Sequence, residues 1–86
     1  MLFRSIHEQQ QRAKLQDLQA RLSALTPRER EVLVHVVRGK LNKQIAADLG
    51  IHERTVKLHR TAITTKLALH SVAELTRFAQ EAGILK

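Results

Sequence analysis

The most chemically directed residues in this chain lie between His52 and Lys66, where Arg54, Lys57, Arg60 and Lys66 face a single acid, Glu53. Lys57 can donate to the O6 and N7 acceptors of a guanine, Leu58 offers an apolar surface for a thymine methyl, and Thr61 can reach a base edge or a phosphate. Arg54, Arg60, Lys66 and the nearby Lys40 and Lys43 have the charge to neutralise phosphates, which gives affinity that falls with salt and carries little sequence information. Residue types in this pattern fit a polyanion of regular shape. They do not fit catalysis, since no nucleophile with a base, no carboxylate pair and no glycine loop is present.

Five histidines (His7, His35, His52, His59 and His70) invite a metal, but no pair has the three- or four-residue spacing of ligands on one helix face. Cysteine is absent, so there is neither a disulfide nor a thiolate site. The expectation is no metal, no cofactor and no enzyme.

Two helical patterns and a turn must position these side chains. In residues 42–49, Ile45, Ala46 and Leu49 recur on one face, Asn42 is the expected N-cap, and Gly50 stands where a left-handed residue ends a helix. The second pattern keeps Val56, Ile63 and Leu67 on an apolar face and sends Arg54, Lys57, Leu58, Thr61, Thr65 and Lys66 elsewhere. Ile51, one residue before the expected cap His52, is placed to pack on Val56 as a hydrophobic staple. A short helix, a tight turn and a longer basic helix form a helix-turn-helix, whose second helix enters a DNA major groove; a basic αα-corner has the same local pattern.

Charge and composition separate the two. The net charge is +7 and the pI about 10.9, in the range of nucleic-acid-binding domains. Phe3 and Phe78 are the only aromatics and both lie outside the basic stretch. A module for single strands stacks bases on aromatic platforms, so duplex DNA is the expected partner. No apolar run reaches membrane-spanning length and no signal peptide pattern opens the chain, so a cytoplasmic protein without a membrane partner is expected.

The flanking segments complete an all-α domain. Residues 2–25 read as one helix without glycine or proline, with Leu15, Leu18, Leu22 and Leu25 in a short a/d seam and a separate apolar patch at Leu2, Phe3 and Ile6. Thr26-Pro27-Arg28-Glu29 is a complete helix start and marks the expected boundary between a linker at 1–25 and a domain at 26–86. Val32, Leu33, Val36 and Val37 share a face of the helix that stops at Gly39. Ser71-Val72-Ala73-Glu74 is a second capping box, opening a helix with Val72, Leu75, Thr76, Phe78, Ala79 and Ala82. That is more apolar surface than one core contact needs, although Leu75 and Phe78 are also natural core residues.

Taken together, L-T-P-R-E-R-E-V-L, N-K-Q-I-A-A-D-L-G-I, R-T-V-K-L-H-R and S-V-A-E-L, in that order between Leu25 and Ile84, closely resemble the LuxR/FixJ-type C-terminal DNA-binding domain of two-component response regulators. The resemblance implies a four-helix domain preceded by a linker helix, with a recognition helix over about residues 53–67. It puts Lys57, Leu58 and Thr61 at base edges and Asn42, Lys43 and the first-turn Thr55 near the backbone. It also implies dimerisation through the last helix, here Val72, Leu75, Thr76 and Ala79, with Leu15 and Leu18 available from the linker. A receiver domain is absent from this sequence, whose only aspartates are Asp17 and Asp48, so a truncated or separately expressed effector half is expected, with a natural stand-alone regulator as the alternative. A single module buries too little for tight selective binding, and a homodimer on a dyad-symmetric site follows. Two other readings stay open: a sigma-factor-like promoter reader that needs RNA polymerase as partner, and a helical interaction module.

Overall fold

The computed structural model describes residues 2–85, and side chains from residue 8 onward. The patch at Leu2, Phe3 and Ile6, and His7, lie outside the described side chains. Five helices follow one another: α1 (Leu2–Ser23), α2 (Pro27–Val37), α3 (Asn42–Leu49), α4 (Glu53–Leu67) and α5 (Val72–Glu81), with no strand among the described residues.

Each helix end has a local cause. Thr26 caps α2 with its hydroxyl accepting from the Glu29 N–H at 3.1 Å, and the Glu29 carboxylate accepts from the Thr26 N–H at 2.8 Å, which satisfies two orphan donors at once. At α5 only half of the expected box forms. Ser71 Oγ accepts from the Glu74 N–H at 3.1 Å, but the Glu74 carboxylate turns to the Ser71 hydroxyl at 3.2 Å instead of the backbone.

The start of α3 differs from expectation. Leu41, not Asn42, is the N-cap, and Asn42 is the first helical residue. A leucine side chain has no acceptor, so the end is closed from one side only, by the Gln44 carboxamide accepting from the Leu41 N–H at 2.9 Å. Leu41 is also 69% exposed. Leu41→Ser therefore adds a missing cap at little cost in burial, and is expected to stabilise the chain by about 1 kcal/mol. A thermal melt should rise by about 4–8 °C; an unchanged or lower midpoint would show that the cap is not limiting.

The turn between α3 and α4 is made by Gly50 at φ 66, ψ 36, with the Ile51 N–H bonding back to the Ala46 carbonyl at 3.0 Å. His52 caps α4 in an extended conformation without a side-chain hydrogen bond, and Ile51 and Val56 both join the apolar cluster, as a staple requires. The far end of α4 stops at Ala68, which holds φ 55 without being glycine.

One core lies under all five helices. Val32, Leu33 and Val36 of α2 meet Ile45 of α3, Val56, Ile63 and Leu67 of α4, and Leu75, Phe78 and Ala79 of α5. The expected faces of α2, α3 and α4 are therefore the observed ones. Helix α1, which ends at Ser23 rather than at the expected residue 25, is not separate from this core: Leu18 is buried in it, as is Leu25 in the turn that follows, and Leu22 packs at its edge, while Leu15 stays exposed. The a/d seam of α1 is thus largely covered by the chain's own helices.

Candidate nucleic-acid interface

Helix α4 has two chemically opposite sides. Val56 is 0% exposed and Ile63 1%, whereas Leu58, two positions from one and five from the other, is 65% exposed. The 3.6-residue repeat places these groups on different faces, so the helix is sealed on one side and open on the other. Arg54, Lys57, Leu58 and Thr61 all stand on the open side. Among the described residues, no hydrogen bond or ion pair engages the side chains of Lys43, Arg54 or Lys57, and each can turn to an external acceptor. Thr61 Oγ1 donates to the Lys57 carbonyl at 3.1 Å, a bond within the helix that fixes its rotamer and leaves its lone pairs outward. Thr55 is half-buried beside them in the first turn.

The other expected phosphate contacts are held differently. Arg60 donates through Nη1 to the Asn42 Oδ1 at 2.9 Å, joining the middle of α4 to the start of α3. This bond fixes the spacing of the two helices, and it explains why Asn42 is not a cap: its carbonyl oxygen faces a guanidinium rather than its own backbone. Lys40 is paired with Asp48 at 2.7 Å, and His35 Nδ1 lies 3.9 Å from the same carboxylate. Lys66 is paired at 2.7 Å with Glu29, a buried carboxylate. Lys40 and Lys66, both expected at phosphates, thus each pair with an acid of the same chain while staying partly exposed.

Glu29 shows why such a pair forms. Burial favours its neutral form, but the Lys66 ammonium, the Thr26 backbone N–H and the Thr26 hydroxyl together outweigh that and hold its pKa below the ordinary 4.5. At Asp48 the hydrogen bond from Lys40 likewise lowers the pKa, against a smaller desolvation effect. A carboxylate with a depressed folded pKa binds fewer protons folded than unfolded, so its contribution is complete above 4.5 and lost as pH falls through the folded value. Glu29→Gln is expected to destabilise the chain at neutral pH by about 1–3 kcal/mol. Its melting curve and that of the parent should draw together as pH falls from 4.5 and meet only below the depressed folded pKa, where the parent's folded carboxyl is itself protonated. A gap that stays constant down to acid pH would contradict the ion pair.

Three residues expected at a dimer interface are inside the chain's own core: Leu18 at 6%, Leu75 at 5% and Ala79 at 0% exposure. A small domain needs the full apolar stripe of α5 for itself. Leu15 and Val72 remain exposed and Thr76 half-buried. A cavity of about 60 Å³, lined by Leu33, Val36, Arg60, Ile63 and neighbours, has room for a water or two. No group of three or more potential metal ligands occurs among the described residues.

A contact that sequence reasoning did not find is made by Arg21 of α1. Its guanidinium donates to the Leu67 carbonyl at the end of α4 and lies over the Phe78 ring of α5, 5.2 Å from the centroid. These partners are 46 and 57 positions away, and no local pattern signals them.

A short helix, a glycine turn and a longer helix that is basic on its open face, all on a shared helical core, define a helix-turn-helix DNA-binding domain. The family model described as "Bacterial regulatory proteins, luxR family" matches residues 23–79. The chain is 41% identical over 73 residues to the transcriptional regulatory protein FixJ of Bradyrhizobium diazoefficiens, covering 85% of this chain and 36% of that protein. Among solved structures, it superposes on the response regulator StyR with a TM-score of 0.84 at 42% identity, covering 88% of this chain and 38% of that one. Full-length FixJ from B. japonicum gives 0.79 at 38% identity, covering 92% and 39%. The chain belongs to the luxR family of bacterial regulatory proteins, and is the helix-turn-helix domain by which such regulators of transcription bind DNA. It spans a little over a third of the length of these relatives.

Proposed function

We propose that this chain reads duplex DNA by sequence as the effector domain of a response regulator, in two copies on a dyad-symmetric site in the cytoplasm, and that it carries no catalytic activity. The observation that supports this most is the open face of α4, where an unpaired lysine, an exposed leucine and a threonine lie over a fully sealed core face. In this reading Lys57, Leu58 and Thr61 meet base edges in the major groove. Lys43, Arg54 and Thr55 meet phosphates, and Arg60 with Asn42 approaches the backbone as a unit. Lys40 and Lys66 act on the DNA only through their long-range field, since each is paired internally. Residues 26–86 form the reading domain and residues 1–25 the arm that leads into it.

For dimerisation, Val72 and Thr76 of α5 and Leu15 of α1 are the outward members of the expected surface. Two copies put their recognition helices about one DNA turn apart, near 34–36 Å, which sets the spacing of half-sites. The relatives are regulators that extend well beyond the matched segment, which favours this reading over a promoter reader bound to RNA polymerase.

Selection from randomised duplexes on the purified chain tests the reading. The expected product is an inverted repeat with half-sites one turn apart, bound without polymerase. Recovery of unrelated duplexes with no shared motif would exclude sequence reading, and a stable dimer indifferent to DNA at low salt would favour the interaction module.

A further inference from the structure

We propose that Arg21 is a positioning residue for DNA reading: it bolts the end of α4 to α1, so that the angle of α1 sets the angle at which α4 meets the groove. The proposal rests on α4 being the reading helix. Three observations carry it. Leu67 ends α4, and its carbonyl is one of the last-turn acceptors that no helical N–H can reach, because the chain turns away at Ala68 with φ 55. The Arg21 guanidinium takes that carbonyl, placing a cation at the negative end of the helix dipole. The same planar group lies on Phe78, which is 3% exposed, so one side chain touches α4 and α5 at once.

The contact is extended along one stripe of α1. Lys14, two turns before Arg21, pairs with Glu81 of α5 at 3.6 Å, and Leu18 between them is buried. On the other side of the joint, Arg30 of α2 donates to the Leu22 carbonyl at 3.2 Å. Helix α1 is therefore fixed over its last turns while its first half carries only exposed described side chains.

Leverage follows from where the bolt sits. Lys57 is ten residues before Leu67, about 15 Å along the helix. A rotation of roughly ten degrees about Leu67, taken by α4 together with the helices packed on it, then carries Lys57 by about 2.6 Å relative to α1, nearly the length of a hydrogen bond. Any partner that engages the exposed residues 8–13 of α1 acts on the reading helix through this joint. By linkage, DNA that favours one angle of α4 favours the same docking of α1.

The chain has no cysteine, so spin labels can be placed singly at Gln10→Cys in α1 and Thr65→Cys in α4, both exposed. In the parent one narrow distance distribution is expected without DNA. Arg21→Ala should broaden it and weaken binding to the selected duplex about tenfold. Arg21→Lys keeps the charge and a donor but not the flat group over Phe78; it should fall between the two, and any loss it shows cannot come from phosphate attraction. Circular dichroism on each variant checks that the helices remain. An unchanged distribution in Arg21→Ala overturns the clamp, and a broadened one with full affinity overturns the positioning role. If the parent itself discriminates no duplex while its distances stay narrow, DNA reading by α4 has failed and the positioning role falls with it.

Discussion

Lys57→Ala should weaken binding to the preferred duplex by about 1–3 kcal/mol per half-site and relax the choice of one base in each. If two copies bind a dyad, the loss applies twice, so about 2–6 kcal/mol, or roughly 30-fold to 10⁴-fold, is expected on a full site. On random duplex the same variant loses only one cation's worth of salt-dependent attraction. The distinction matters because Lys57 has no partner within the described residues and is not part of the core, so its removal leaves the fold intact. Gel-shift titrations on the selected site, on a half-site and on random duplex provide the comparison. Equal losses on all three would mean that Lys57 touches phosphate and reads nothing.

Ile63→Ala should give the opposite profile. Ile63 is 1% exposed and sits where α4 packs on α2 and α5. Removing three methylene-sized groups from such a site costs about 2–5 kcal/mol. For an 86-residue chain with a total stability of about 4–13 kcal/mol this is a large share, and the melting midpoint should drop by about 10–30 °C. Leu58→Ala, five residues away on the open face, should change the melt by less than about 0.5 kcal/mol while reducing DNA selectivity. The crossed pair separates the two sides of one helix: one variant melts early and the other binds poorly. A large stability loss at Leu58 would place that side chain in a contact the fold does not contain.

The parts of this domain that were legible in the sequence are the ones set by local chemistry. Thr26 and Glu29 announce a helix start because both halves of the capping box lie within four residues, and Gly50 announces the turn because the left-handed region favours glycine there. The sealed face of α4 was readable from Val56, Ile63 and Leu67 by period alone. What was not legible is side-chain pairing across the fold. Lys66 reads as a phosphate contact from its neighbours in sequence, and nothing local announces its pairing with Glu29, 37 positions earlier. Asn42 looked like an N-cap by residue type, yet Arg60 claims its oxygen, and the uncappable Leu41 occupies the position instead. Arg21 carried no signal at all, since a cation in a Gln- and Arg-rich helix reads as a solvent-facing residue unless its distant partners are known.

The dimer surface shows the same limit from the apolar side. Counting the apolar residues of α5 overstated what is left for a partner, because Leu75 and Ala79 are needed by a core that also takes Leu18 from α1. A surplus judged from one helix is not a surplus once all five are packed.

The most direct measurement is an amide-shift titration of the labelled chain with its selected duplex. Reading by α4 requires the largest changes at Arg54, Lys57, Leu58 and Thr61, with smaller ones at Lys43 and the Asn42–Arg60 pair, and near silence at Val32, Ile45 and the first half of α1. Changes centred instead on Leu15, Val72 and the outer side of α5, with Lys57 and Leu58 unmoved, would contradict it.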